Sequence, residues 1–187
     1  MIKQCVSYIK QFEYIKPEYM ITTNGTLLTA DVVSFLEANS FDVMISIDGN
    51  QVIHDFYRKY SSGRGSYTTV ADGIKLFSNP GTINARITVS NHNPEIHTYI
   101  DDILKLGIRR ITFAVDYNIS EISFQLFIES LKKLFEKYYN DIVNGYYYDI
   151  TNFSSIITAL VLHQRRLTFC NAGSLHYVRV LLIQRNQ

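Results

Sequence analysis

The residues able to do chemistry sit in the first half of the chain, where apolar runs end. Thr23-Asn24-Gly25 closes one such run and Ser46-Ile47-Asp48-Gly49 a second. His54, Asp55 and Arg58 follow, then Gly63, Gly65, Ser66 and Tyr67, and Arg86 stands inside a later apolar run. Hydroxyls, an amide, a carboxylate and guanidinium groups at strand tips are groups that hold a polar or anionic ligand; arginine suits a carboxylate because its planar donors bind in pairs. No general acid–base pair and no nucleophilic triad emerges from the spacing. His54 has no ligand-spaced companion, so it reads as a hydrogen-bonding support for its loop rather than a metal ligand.

Each of these residues needs an element behind it. Ile2, Val6, Ile9 and Phe12 recur at helical spacing opposite Lys3, Lys10 and Glu13, which predicts an amphipathic helix over 1–15 that Pro17 ends. Next come a strand over 19–24, a helix from an N-cap at Thr29 to a C-cap at Asn39, and a strand over 41–48. Residues 48–65 read as a long, polar, glycine-punctuated loop of the kind that carries function. Ser66 then caps a helix with Val70, Ile74 and Phe77 on one side, and 83–90 alternates as a third strand. Asn93-Pro94-Glu95 opens a helix that Gly107 closes, and 109–116 is the fourth strand. A helix over 120–139 has Ile122, Leu126, Leu131, Leu134, Phe135 and Tyr138 on its apolar side. Past Asn140 the pattern weakens to a strand or loop at 146–148 and a short helix over 156–162.

Strand and helix alternate, so the sheet is parallel. The strands are nevertheless not the continuous apolar runs of a sheet covered on both faces. One face carries Ile21, Val43, Ile45, Ile47, Ile83, Ala85, Ile87, Val89, Ile111, Phe113 and Val115. The other carries Thr22, Asn24, Ser46, Asp48, Asn84, Arg86, Thr88, Thr112 and Asp116. A barrel or partial barrel, packed outside on helices and polar inside, accounts for both. An open sheet with one uncovered face is the alternative.

Length and charge exclude more than they assign. A chain of 187 residues is one domain by default, and a formal net charge of +1 gives no reason to expect nucleic acid or an anionic membrane as partner. Cys5 and Cys170 are too far apart in sequence and too few for a disulfide framework or a zinc motif, and Cys5 reads as a small buried hydrophobe on the first helix. No signal peptide and no bilayer-length apolar run is visible, which points to the reducing cytoplasm.

The motifs also resemble a family. T-T-N-G-T-L-L-T at 22–29, S-I-D-G at 46–49, H-D-x-x-R at 54–58, G-x-G-S-Y-x-x-V at 63–70, the R-I-T-V strand and C-N-A-G from Cys170 together resemble radical S-adenosylmethionine enzymes. The nearest subgroup is that with a SPASM-type C-terminal extension, which includes anaerobic sulfatase maturases and maturases of ribosomal peptides. The resemblance implies an α/β fold, a partial parallel β/α barrel, with S-adenosylmethionine and a 4Fe-4S cluster as cofactors. It implies formation of a 5′-deoxyadenosyl radical for modification of a peptide or protein substrate. Ser46 would hydrogen-bond the cofactor and Arg58 would pair with its carboxylate. Asn24 and Asp48 would contact cofactor or substrate, although Asn-Gly and Asp-Gly are also ordinary turn pairs and that plainer reading is preferred. Arg86, inside a lumen, needs a carboxylate such as Asp48 or Asp116, or the cofactor itself. Cys170 resembles an auxiliary-cluster ligand.

The family's Cys-x-x-x-Cys-x-x-Cys loop and its G-G-E-P segment are not in the sequence. The resemblance therefore implies a fragment, with 1–139 a partial core barrel and 140–187 the truncated start of a SPASM-like extension. The alternative is a non-catalytic truncated gene product or a residual binding module without cluster.

Overall fold

Alternation along each strand decides how the sheet is dressed. The structure is a computed structural model that describes residues 1–163 apart from Glu13 and Ile15. In chain order it runs α1 (Ile2–Ile9), β1 (Met20–Thr23), α2 (Ala30–Ala38), β2 (Asp42–Ser46), α3 (Gln51–Tyr57) and α4 (Tyr67–Ile74). There follow β3 (Asn84–Val89), α5 (Ile100–Lys105), β4 (Arg110–Val115), α6 (Glu121–Val143), β5 (Asp149–Ile150) and α7 (Thr151–Val161).

The five strands are all parallel and lie side by side in chain order. Every crossover thus steps the same way, and right-handed crossovers then deliver the helices to one face only. That singly wound sheet is the wall of a β/α barrel. Ile45 pairs in register with Ala85, Ala85 with Ile111, Ile87 with Phe113 and Ile111 with Ile150, so the apolar residues form rows under the helices. Ile45, Ala85, Ile87, Ile111 and Ile150 are fully buried there, each large aliphatic contributing about 1.5–3 kcal/mol. Val115, at the end of its row, is 37% exposed.

Local signals placed the starts of α2 and α6. Thr29 Oγ1 accepts from Val32 N–H at 3.3 Å, and Ser120 Oγ accepts from Ser123 N–H at 3.2 Å. Asn39 stands at the C-cap of α2 as expected.

Several expectations need correction. Residues 48–65 are not one loop, because Asn50 caps α3 through Ile53 N–H at 3.2 Å. Asn93 does not cap a helix: its Oδ1 accepts from Ser90 N–H at 2.8 Å, a 3-10 turn spans Ile96–Thr98, and α5 begins only at Ile100. On α6, Ile122, Leu126 and Phe135 are exposed, and the buried row is Ser123, Phe127, Ser130, Leu134 and Tyr138. Two small serines let that row approach, and Ser130 Oγ fixes it by accepting from His97 N–H at 3.0 Å. α1 stops at Ile9 with only Val6 buried. Cys5 on it is exposed, not buried, because it lies off the single side that α1 packs. Towards the C-terminus, α6 runs unbroken through residue 140, and β5 adds its strand to the same sheet.

Candidate functional site

The chain leaves β2 through a tightly bonded loop. Ile47 N–H continues the ladder to Arg86 O at 3.0 Å, and at the next step the Asp48 carboxylate replaces a backbone carbonyl, accepting from Thr88 N–H at 2.8 Å. The same buried carboxylate takes Arg58 Nε and, at 3.2 Å, Arg58 Nη2, the bidentate geometry in which arginine binds most strongly. Gly49 turns the chain at φ +117°, and a Cβ there would lie 2.6 Å from the Tyr99 ring.

His54, fully buried, closes the loop from inside. The Ser66 hydroxyl donates to Arg58 O at 2.8 Å, so at 3.0 Å His54 Nε2 must be the donor to Ser66 Oγ. Its Nδ1 is then free to accept from Asp48 N–H at 3.4 Å. Burial lowers the His54 pKa from 6.5 to about 4, Asp48 opposing and Arg58 assisting, which matches this neutral tautomer. Asp55 accepts from Tyr67 N–H at 2.8 Å at the start of α4, and a Cβ on Gly65 would fall 2.0 Å from that carboxylate. The H-D-x-x-R and G-S-Y segments thus form one clasp between α3 and α4, in which His54 supports the loop as its isolation in sequence implied.

The concave face is layered by strand register. Asp48 and Thr88 make the top layer, Ser46, Arg86 and Thr112 the next, and Met44, Asn84 and Arg110 the third. In the third layer Arg110 Nη1 donates to Asp42 Oδ1 at 2.9 Å. In the second, Ser46 and Arg86 are side by side, half-buried, and without a side-chain partner among the described residues. The expected pairing of Arg86 with Asp48 or Asp116 is not formed, because Arg58 takes Asp48 and Asp116 Oδ1 accepts from Asn118 N–H at 3.0 Å. Asn24 Oδ1 accepts from Thr26 N–H at 3.2 Å and from Thr26 Oγ1 at 2.9 Å, a self-contained turn at the tip of β1. Cys170 lies outside the described residues.

Above these layers a cleft of about 260 Å³ opens at the C-terminal strand ends, lined by Asp48, Arg58, Thr88, Ser90 and Asp116 from the sheet side. Ile53 and Tyr57 of α3 and Asn93 complete it. Its volume suits one end of a cofactor-sized ligand rather than the whole. Phe56 and His92 stack at its edge with centroids 3.5 Å apart, both exposed. Tyr57 escaped the sequence reading, although the i, i+4 spacing of Ile53 and Tyr57 behind Asn50 was an available signal; Asn93 was read as a helix cap, not as a cleft residue. The C-terminal end of a parallel sheet is where β/α folds bind ligands.

No protein-family model matches the chain. It is 27% identical over 177 residues to the cysteine-type anaerobic sulfatase-maturating enzyme of Clostridium novyi (strain NT), an overlap of 85% of this chain and 46% of that protein. Over 76 residues, 40% of this chain and 18% of the relative, it is 43% identical to the serine-type anaerobic sulfatase-maturating enzyme of Bacteroides thetaiotaomicron. The chain is thus similar in sequence to anaerobic sulfatase-maturating enzymes. It spans about half the length of the curated maturases it matches. Its fold superposes on histidine-tagged anSMEcpe with bound AdoMet at a TM-score of 0.76 and 23% identity, covering 87% of this chain and 46% of that one. Native anSMEcpe with bound AdoMet and Kp18Cys peptide gives 0.73 at 22% identity, covering 87% and 49%. The segments that carry the resemblance fall into two sets: those that build the clasp, and the open pair Ser46 and Arg86.

Proposed function

We propose that this chain forms the cofactor- and substrate-handling wall of a radical S-adenosylmethionine enzyme that modifies a peptide or protein. The observation carrying this reading is the second layer of the concave face, where Ser46 and Arg86 offer hydrogen-bond donors with no partner among the described residues. A carboxylate and an amino-acid-like end of S-adenosylmethionine fit such donors. Asn24, Asp48 and Arg58 stand nearer the strand tips, where they shape the approach. The AdoMet and peptides in the neighbouring structures support the same assignment.

When bound, S-adenosylmethionine and a 4Fe-4S cluster supply radical hydrogen-abstraction chemistry; the residues described here bind and orient. Among the described residues no group of three or more His, Cys, Asp or Glu is placed to hold a metal. Among the described residues, no helix is long and apolar enough to cross a membrane. The reducing cytoplasm is the compartment in which such a cluster survives.

Calorimetric titration of the full chain with S-adenosylmethionine tests the binding half of the proposal, and absence of binding would sink it. Anaerobic reconstitution with iron and sulfide, followed by chromatography for 5′-deoxyadenosine, tests the catalytic half. A chain that binds the cofactor and yields none of that product is a binding module rather than an enzyme.

A further inference from the structure

A second cavity, of about 350 Å³, opens at the N-terminal strand ends, where α2 runs into β2 and α4 towards β3. It is larger than the cleft of about 260 Å³ at the other end of the sheet and shares no lining residue with it. Leu36, Val43 and Phe77 give it an apolar wall. An apolar wall with a few convergent polar groups, in this range of volume, is the usual make-up of a small-ligand site.

The polar groups are Glu37 and Ser40. Glu37 Oε1 accepts from Ser78 N–H at 2.8 Å and from Ser78 Oγ at 2.7 Å, which fixes the carboxylate at the mouth. Its Oε2 has no partner, and the residue no ion pair, among the described residues. Lys10 reaches α2 at Asn39 Oδ1, at 2.6 Å, and not at Glu37. Arg110, which touches Thr82 O on the rim at 3.4 Å, is neutralised by Asp42. Ser40 closes α2 in a Schellman turn: its N–H bonds Glu37 O and Phe41 N–H bonds Leu36 O, each at 3.0 Å, with Ser40 at φ +53°. Glycine takes that left-handed position without strain and serine does not. The Ser40 hydroxyl makes no hydrogen bond among the described residues, so it is not what holds the turn.

We propose that this cavity binds an alkylammonium group, with the alkyl chain on Leu36, Val43 and Phe77 and the N–H donors on Glu37 Oε2 and Ser40 Oγ. The two free oxygens are both able to accept, and an ammonium is a compact charge with three donors and no acceptor, so it matches them where an anion or a neutral carbonyl does not. A bare cation would leave the apolar wall unused, and a neutral alkane would leave the carboxylate unpaired. The group has two sources, a free aliphatic amine or the lysine side chain of a partner protein. The site lies at the other end of the strands from Ser46 and Arg86, so its failure leaves the S-adenosylmethionine reading untouched.

The test follows the Ser40 and Ser78 amide resonances of the full chain and its E37Q and S40G variants by NMR titration. The probes are n-butylammonium, n-butanol, and a short peptide carrying one lysine or, in its place, one norleucine. In the parent, butylammonium binds more tightly than butanol. E37Q keeps an acceptor for Ser78 but loses the charge, and it weakens butylammonium about two- to fivefold, the worth of an exposed ion pair, while butanol is unchanged. S40G weakens butylammonium about two- to tenfold, the worth of one hydrogen bond, and at the same time raises the melting temperature by relieving the left-handed serine. A merely structural Ser40 would give the second change without the first. Binding of the lysine peptide more tightly than butylammonium assigns the site to a protein side chain, and binding of butylammonium alone assigns it to a free amine; either supports the cavity. If no probe moves those resonances, if butanol matches butylammonium, or if neither variant alters the preference while both melt at or above the parent temperature, the proposal is overturned.

Discussion

Two neighbouring regions of this molecule use the same residue types to opposite ends. In the clasp after β2, Asp48, His54, Asp55, Arg58 and Ser66 all have partners within the chain. One layer down the concave face, Ser46 and Arg86 have none among the described residues. Both regions are polar, both sit near the C-terminal strand ends, and both belong to segments that resemble one family. Partnering separates them: a buried polar group satisfied within the chain has little left to offer a ligand, whereas an unsatisfied one retains its full donor capacity.

The contrast is broken first by Asp48→Ala, which leaves Arg58 and Thr88 N–H without their acceptor and should cost about 4 kcal/mol in urea unfolding. Gly49→Ala follows at about 3 kcal/mol, since it combines an unfavourable φ with a clash on the Tyr99 ring; melting by circular dichroism reads it. Acid separates the regions next. His54 is neutral in both folded and unfolded chains above its unfolded pKa of 6.5, but between there and its folded value of about 4 only the unfolded chain takes the proton. Stability is therefore lost as pH drops through that window, by about 2 kcal/mol at about pH 5. Urea midpoints measured across that window test this, and a flat profile would contradict the neutral clasp. Smallest are Arg86→Gln and Ser46→Ala, each expected within about 0.5 kcal/mol of the parent stability in urea unfolding. A large loss for either would reveal a structural partner and erase the contrast.

Four of the five strands, their direction and the polar concave face were legible in the sequence, because side-chain alternation at period two and helix caps such as Thr29 and Ser120 are local, while the two-residue β5 is too short to alternate. The docking side of α6 was not, because apolar residues such as Ile122 and Phe135 lie on another side of the helix, and the choice went to the side of Phe127, Leu134 and Ser130, which bonds His97. α3 escaped for a related reason: a helix as short as Gln51–Tyr57 carries too few periods to stand out within a polar segment. By itself the sequence determined that Ser46, Asp48 and Arg86 would gather near one end of a parallel sheet, since strand parity and order fix that placement. Only the tertiary structure decided which of them pair with each other. Hydrogen-bond partners come from residues 10 to 40 positions apart, as Asp48 shows with Arg58 and Thr88, and no local pattern records who reaches a carboxylate first.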